Sequence, residues 1–153
     1  MYKKIITTLT VASLSLLVGC ASVPMANQQK DAEFKQFKAP VDNKAGLYIF
    51  RNTFLGKALK KTVTVDGTII GETANKVYFY RAIEPSKHAI STESEFSDNV
   101  TSFDAVAGKN YFAEQFIKIG AFVGGAGLRM VDEEVGKKNV LECGLAEENP
   151  NVK

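Results

Sequence analysis

The chain has 153 residues, 45% of them hydrophobic, and sets 19 lysines and arginines against 17 aspartates and glutamates. That length suits one domain with a core of real size, and so slight a basic excess excludes the concentrated positive surface that a nucleic-acid partner requires. One histidine and two cysteines are too few for a zinc site of ordinary ligand spacing, so neither a metal nor any other cofactor is expected.

The N-terminus carries Lys3 and Lys4, then an apolar run that closes on Leu17-Val18-Gly19-Cys20. A bilayer-spanning helix needs about 20 apolar residues, and this run is shorter and dotted with Ser and Thr. Basic start, apolar middle and small residue before the end make an export signal. The closing four residues resemble the lipobox of bacterial lipoproteins. That resemblance implies a signal peptide over residues 1–19, cleavage before Cys20 and a diacylglycerol on its thiol. The alternative is an ordinary exported or uncleaved chain with a cysteine there by chance. Lys3 and Lys4 leave with the signal, which balances the mature chain and argues against electrostatic docking on a membrane. In such lipoproteins an Asp after the cysteine favours retention at the inner membrane. Here Ala21 and Ser22 follow, which points to the periplasmic face of the outer membrane in a Gram-negative cell. Cys143 is then left without a partner in the chain and is expected to be a small buried hydrophobe.

Residues 20–44 are polar and rich in small residues, with Pro24 and Pro40, and read as a flexible tether. Such a chain spans roughly 25–30 Å on average, although Phe34 and Phe37 are spaced to form a transient helical turn. Strand patterns begin at Ala45. Leu47–Arg51 comes first, then Lys60–Val65, which Asp66-Gly67 turns into Thr68–Glu72 as a tight hairpin. Val77–Ala82 follows, then a turn at Glu84–Lys87, then His88–Glu93. Val100–Ala105 turns through Ala107–Asn110 into Tyr111–Ile119, the longest β segment. A glycine-rich break over 120–127 precedes Leu128–Val131.

Asp132–Cys143 changes period and reads as a short helix. Val135, Leu141 and Val140 are its apolar candidates, Asp132 its N-cap and Gly144 its left-handed stop. Gly136 weakens that helix by about 1 kcal/mol relative to Ala. Residues 147–153 read as a frayed tail. Strands about ten residues apart with Gly, Pro and Asx turns indicate an antiparallel β-sandwich or small barrel of about 7–8 strands over residues 45–146.

Five motifs occur in order: Tyr48-Ile49-Phe50-Arg51, Val63-Thr64-Val65-Asp66-Gly67, Ile70-Gly71, Pro85-Ser86-Lys87-His88 and Ala107-Gly108-Lys109-Asn110-Tyr111-Phe112. Together they resemble the bacterial lipoprotein family catalogued as domain of unknown function 2846, over about Ala45 to Leu145. Ser86 stands where that family usually has Gly. The resemblance implies a β-sandwich behind a lipoprotein leader and implies no reaction.

The residues that carry chemistry are few. His88 with Ser86, Ser91 or Ser94 and Asp66 or Asp104 would supply a hydrolase triad, but no Gly-x-Ser-x-Gly elbow is present. His88 also reads as a hydrogen-bonding turn residue. Glu93, Glu95 and Asp98 read as a solvated loop rather than a calcium site. Two arrangements are open to Tyr78 and Tyr80. In one they form an exposed patch with Arg51 that stacks on sugar or peptide; in the other their strand is buried on both faces. Phe122 either folds into the core or tips a loop toward lipid or a partner. The expected function is a non-catalytic binding or envelope-assembly module held to the membrane by lipid on Cys20, with an envelope protein or peptidoglycan as partner. Arg51, Tyr78, Tyr80 and Phe122 are its candidate contacts, and a small hydrolase using His88 is the rival.

Overall fold

Two sheets face each other across a core of aliphatic side chains. The computed structural model describes residues 21–94, 99–119 and 124–152. Its elements are α1 (Gln28–Phe34), β1 (Ala45–Arg51), β2 (Lys61–Val65), β3 (Thr68–Thr73), β4 (Val77–Ile83), β5 (Lys87–Thr92), β6 (Asn99–Asp104), β7 (Asn110–Lys118), β8 (Gly125–Val131), α2 (Glu133–Leu141) and β9 (Gly144–Leu145). One sheet runs β8-β7-β1-β4-β9 and the other β3-β2-β5-β6. This is the expected sandwich with one refinement: β1 pairs with β7, and β4 with β9, in parallel. The chain leaves β1 for β2 and β3 of the second sheet, returns as β4 on one side of β1, crosses again for β5 and β6, and comes back as β7 on the other side.

Period-2 alternation sorts the side chains. Leu47, Ile49 and Phe79 of the first sheet meet Val63, Ile70 and Ile90 of the second. Tyr48, Phe50, Tyr78 and Phe112 point the other way, into a second cluster with Val140, Cys143 and Leu145. All seven residues of β1 are therefore buried. Asp66 and Gly67 both take positive φ, as the tight hairpin requires.

The helix α2 shows how the outer cluster is closed. Gly136 and Val140 face inward, whereas Val135 and Leu141 are exposed, so of the three apolar candidates Val140 alone lies on the buried stripe. A Cβ on Gly136 would collide with the Phe112 ring. The glycine that lowers helix propensity is what lets the helix lie flat on β7. Asp132 occupies the N-cap position through its backbone only, and Gly144 enters β9 instead of ending the helix.

Residues 21–44 are not a free tether. Asn27 caps α1 by accepting from the Lys30 amide at 2.9 Å. Phe34 and Phe37 pack on the outer cluster, and Ala21 and Val23 on the sandwich core. The C-terminal segment is also fastened: Glu147 donates its amide to the Pro24 carbonyl at 3.0 Å, and Asn149 to Ile70 at 2.8 Å.

Candidate functional site

The outer face of the first sheet carries an aromatic cleft. Antiparallel pairing of β1 and β4 sets Tyr48 opposite Tyr80. Their rings lie 4.8 Å apart, and Phe34 of α1 stacks on Tyr80 at 4.1 Å with 27° between planes. The Tyr48 hydroxyl donates to the Phe34 carbonyl at 2.9 Å, so two tyrosines grip both the ring and the backbone of one helix-end residue. Between these rings and the strip Lys38–Val41 opens a cleft of about 290 Å³, with Glu33 also lining it. Phe34 and Tyr80 border a second cleft of about 380 Å³ as well, toward Lys30 and Glu147.

The wall opposite is held by Asn110. Its side-chain amide donates to the Phe37 and Lys38 carbonyls at 3.1 and 3.2 Å. Its Oδ1 is buried and has no hydrogen-bond partner among the described residues. A Cβ on Gly46 would meet that oxygen, together with Tyr80 and Pro40, so the glycine keeps this corner open. Burial first, and Glu33 second, push the Tyr80 hydroxyl above its ordinary pKa, and burial followed by Tyr80 does the same to Tyr48. Both stay protonated at neutral pH; the Tyr48 proton is spent on the Phe34 carbonyl, so Tyr80 is the tyrosine whose hydroxyl is left to face the cleft beside flat apolar rings. Such a surface is chemically suited to a ring with one apolar face.

Of the residues expected to form an exposed aromatic and cationic patch, only Tyr80 reaches a cleft. Tyr78 is fully buried under α1, where its hydroxyl reaches the Asp31 carbonyl at 3.4 Å. Arg51 is fully buried too, and on the other face of the sheet. Its Nη2 donates to the carbonyls of Gly56 at 2.6 Å and Leu59 at 2.9 Å, and Nη1 to that of Thr73 at 3.4 Å. It fastens the loop between β1 and β2 rather than a ligand. Of the two arrangements open to this strand, the buried one is realised at Tyr78, which α1 covers, while Tyr80 stays half-buried at the cleft. Phe122 and Cys20 lie outside the described residues. The share of α1 in the cleft was missed; the Phe34/Phe37 spacing was its one signal.

His88 is the second constellation. The fold selects Ser86 and Asp66 as its neighbours, while Ser91 instead bonds Thr64. His88 Nδ1 lies 2.6 Å from Asp66 Oδ2, and Nε2 lies 2.7 Å from the Glu84 carbonyl and 3.1 Å from Ser86 Oγ. A carbonyl only accepts, so Nε2 must carry a proton, and Nδ1 donates to the carboxylate. Burial presses the His88 pKa down, but the Glu84 carbonyl and the Asp66 carboxylate outweigh it and the net shift is upward. A proton that Nε2 gives to the Glu84 carbonyl leaves that nitrogen no lone pair directed at Ser86.

Cys143 is buried as expected, and burial pushes its thiol up to about 12, far from thiolate reactivity. Among the described residues no group of three His, Cys, Asp or Glu side chains is placed to hold a metal. Glu93 spends a carboxylate oxygen on the Thr62 amide at 3.1 Å. No helix among these residues is long and apolar enough to cross a membrane.

The geometry defines a two-sheet β-sandwich with a helix-walled aromatic cleft. The chain belongs to the family described as protein of unknown function (DUF2846), whose model matches residues 41–126. It is 48% identical over 131 residues to an uncharacterized protein of Haemophilus influenzae, covering 86% of this chain and 78% of that relative. No solved structure matches it.

Proposed function

We propose that this chain is a lipoprotein of the outer membrane's periplasmic face, held by diacylglycerol on Cys20, that binds a ligand and catalyses no reaction. The leader and its Leu17-Val18-Gly19-Cys20 ending support the anchor. The observation that carries the binding reading is the Phe34–Tyr80–Tyr48 group, three rings that line an open cleft instead of closing over it. Flat rings beside the Tyr80 hydroxyl suit a sugar ring or the apolar side chain of an envelope peptide. Peptidoglycan offers both.

The hydrolase reading places Ser86 beside His88 and Asp66, as a triad would, but the Glu84 carbonyl occupies the nitrogen that would act as base. That occupancy favours a role for His88 in fastening two turns. The test uses isotope-labelled protein lacking the leader, titrated with soluble peptidoglycan fragments and followed by NMR. Shifts centred on Phe34, Tyr48 and Tyr80, abolished in Tyr80→Ala, are expected. Shifts elsewhere, or none, would refute the cleft. Turnover of ester, peptide or glycan substrates that disappears in His88→Ala would refute the non-catalytic reading.

A further inference from the structure

We propose that the domain sits directly against the bilayer with no spacer, on the flank formed by residues 21–26 and 146–149. The inference rests on acylation of Cys20 and adds the geometry that acylation would impose. A free chain over 20–44 would lift the domain roughly 25–30 Å. The structure leaves no such chain. Met25 pairs antiparallel with Ala146. The Ala26 amide donates to the Leu145 carbonyl at 2.9 Å, and the Glu147 amide to the Pro24 carbonyl at 3.0 Å. Ala146 in turn donates to Tyr78 of β4 at 2.8 Å, and Asn149 to Ile70 of β3 at 2.8 Å. The strip before α1 is thus sewn into the gap between the edges of the two sheets, and its first described residue, Ala21, packs on the core.

Cys20 is one peptide unit from Ala21, a Cα separation of about 3.8 Å. A lipid on that cysteine enters the membrane within a residue's length of folded protein. The strand registers also set the orientation. β9 runs parallel to β4 from Val77, so 146–149 continue toward the Ile83 end, and residues 25 to 21 run alongside them. The loop holding Phe54 and Leu55, and Ile119 after β7, lie beyond Arg51 and Lys118 at the other end. Those three side chains are 77%, 50% and 88% exposed. The length of β1, about 20 Å, separates that apolar end from the attached one. The flank itself exposes Ser22, Pro24, Met25, Glu147 and Glu148, with no basic cluster. Its hold on the bilayer therefore comes from the lipid and not from anionic headgroups.

The chain has no tryptophan, which allows single reporters. The full-length protein, extracted from membranes, is reconstituted into phosphatidylcholine vesicles carrying a headgroup nitroxide, with Glu147→Trp or Phe54→Trp as the fluorophore. Both positions are exposed, so neither change disturbs packing. Strong quenching at 147, little at 54, and no change in either between low and high salt are the expected results. Insertion of twenty Gly/Ser residues between Ala21 and Ser22 is expected to abolish the quenching at 147. A protein that carries the lipid and floats with the vesicles, yet shows equal and weak quenching at both positions, overturns the short attachment alone. A protein that takes up no labelled palmitate overturns the acylation and this inference together.

Discussion

Asp31 Oδ1 accepts the backbone amide of Leu145 at 3.0 Å, joining residues 114 positions apart. This one bond fixes a seven-residue helix that is too short to persist alone to the last strand of the first sheet. The other oxygen of the same carboxylate holds Lys35 at 2.8 Å. The helix in turn presents Phe34 to Tyr80, so this carboxylate, with the Tyr48 hydroxyl and the Asn110 amide, holds the cleft's wall in place.

Asp31→Ala is therefore expected to cost about 1.5–3 kcal/mol, the range for hydrogen bonds to a charged group. Amide exchange across Gln28–Phe34 should rise far more than in β1 or β7. Thermal melts and exchange mass spectrometry on the same sample check both parts. Unchanged exchange in α1 would show that the aromatic contacts suffice.

Gly136→Ala sets helix propensity against packing. Propensity alone favours Ala by about 1 kcal/mol, but the new methyl meets the Phe112 ring. Overpacking of that kind typically costs 1–3 kcal/mol, so net destabilisation is expected. Phe112→Leu combined with Gly136→Ala should be more stable than the sum of the single changes predicts. Denaturant midpoints of the four proteins close this cycle.

The His88–Asp66 contact makes a pH-dependent contribution. The folded His88 pKa is raised above the ordinary value of about 6.5. Its stabilisation is therefore complete below that value and is lost as pH rises through the folded pKa. For Asp66, burial raises the pKa, but the Ala89 amide and His88 outweigh it and the net shift is downward. Its share is present above the ordinary carboxylate pKa of about 3.9 and is lost as pH falls through the lower folded value. Because Asp66 is 48% exposed, screening holds the pair to about 1 kcal/mol or less. The difference in Tm between wild type and His88→Gln is expected to shrink as pH is taken from 6 to 9. A constant difference would mean that His88 acts by packing alone.

Arg51→Lys keeps a positive charge and removes the fork that serves the carbonyls of Gly56 and Leu59 together. A loss of about 2 kcal/mol is expected, the scale of a charge-assisted hydrogen bond. Cleavage by chymotrypsin at Phe54 and Leu55 should accelerate, because the loop loses its fastening. Equal cleavage rates would place the loop's order elsewhere.

The strands were legible because each carries its own pattern. The β1 to β7 boundaries fall within about two residues of those expected, and Asp66-Gly67 turns the chain as its backbone preferences require. What stayed hidden depends on distant partners. The Phe34/Phe37 spacing announces no more than a transient turn, because the order of Gln28–Phe34 comes from Tyr48, Asn110 and Leu145 on other strands. The fate of Arg51 was likewise undetermined, since an arginine at a strand end is buried only if a following loop supplies carbonyls. Tyr80 could be assigned to a strand face, but not to a cleft whose other wall is α1.

The proposed anchor requires an acylated cysteine as the first residue of the folded domain. Intact mass spectrometry of the protein extracted from membranes tests it most directly. A chain beginning at Cys20 and carrying the added mass of diacylglycerol is predicted, together with Cys20→Ala accumulating as unprocessed precursor. A mature chain that begins at any other residue, or a Cys20 without lipid, would contradict it.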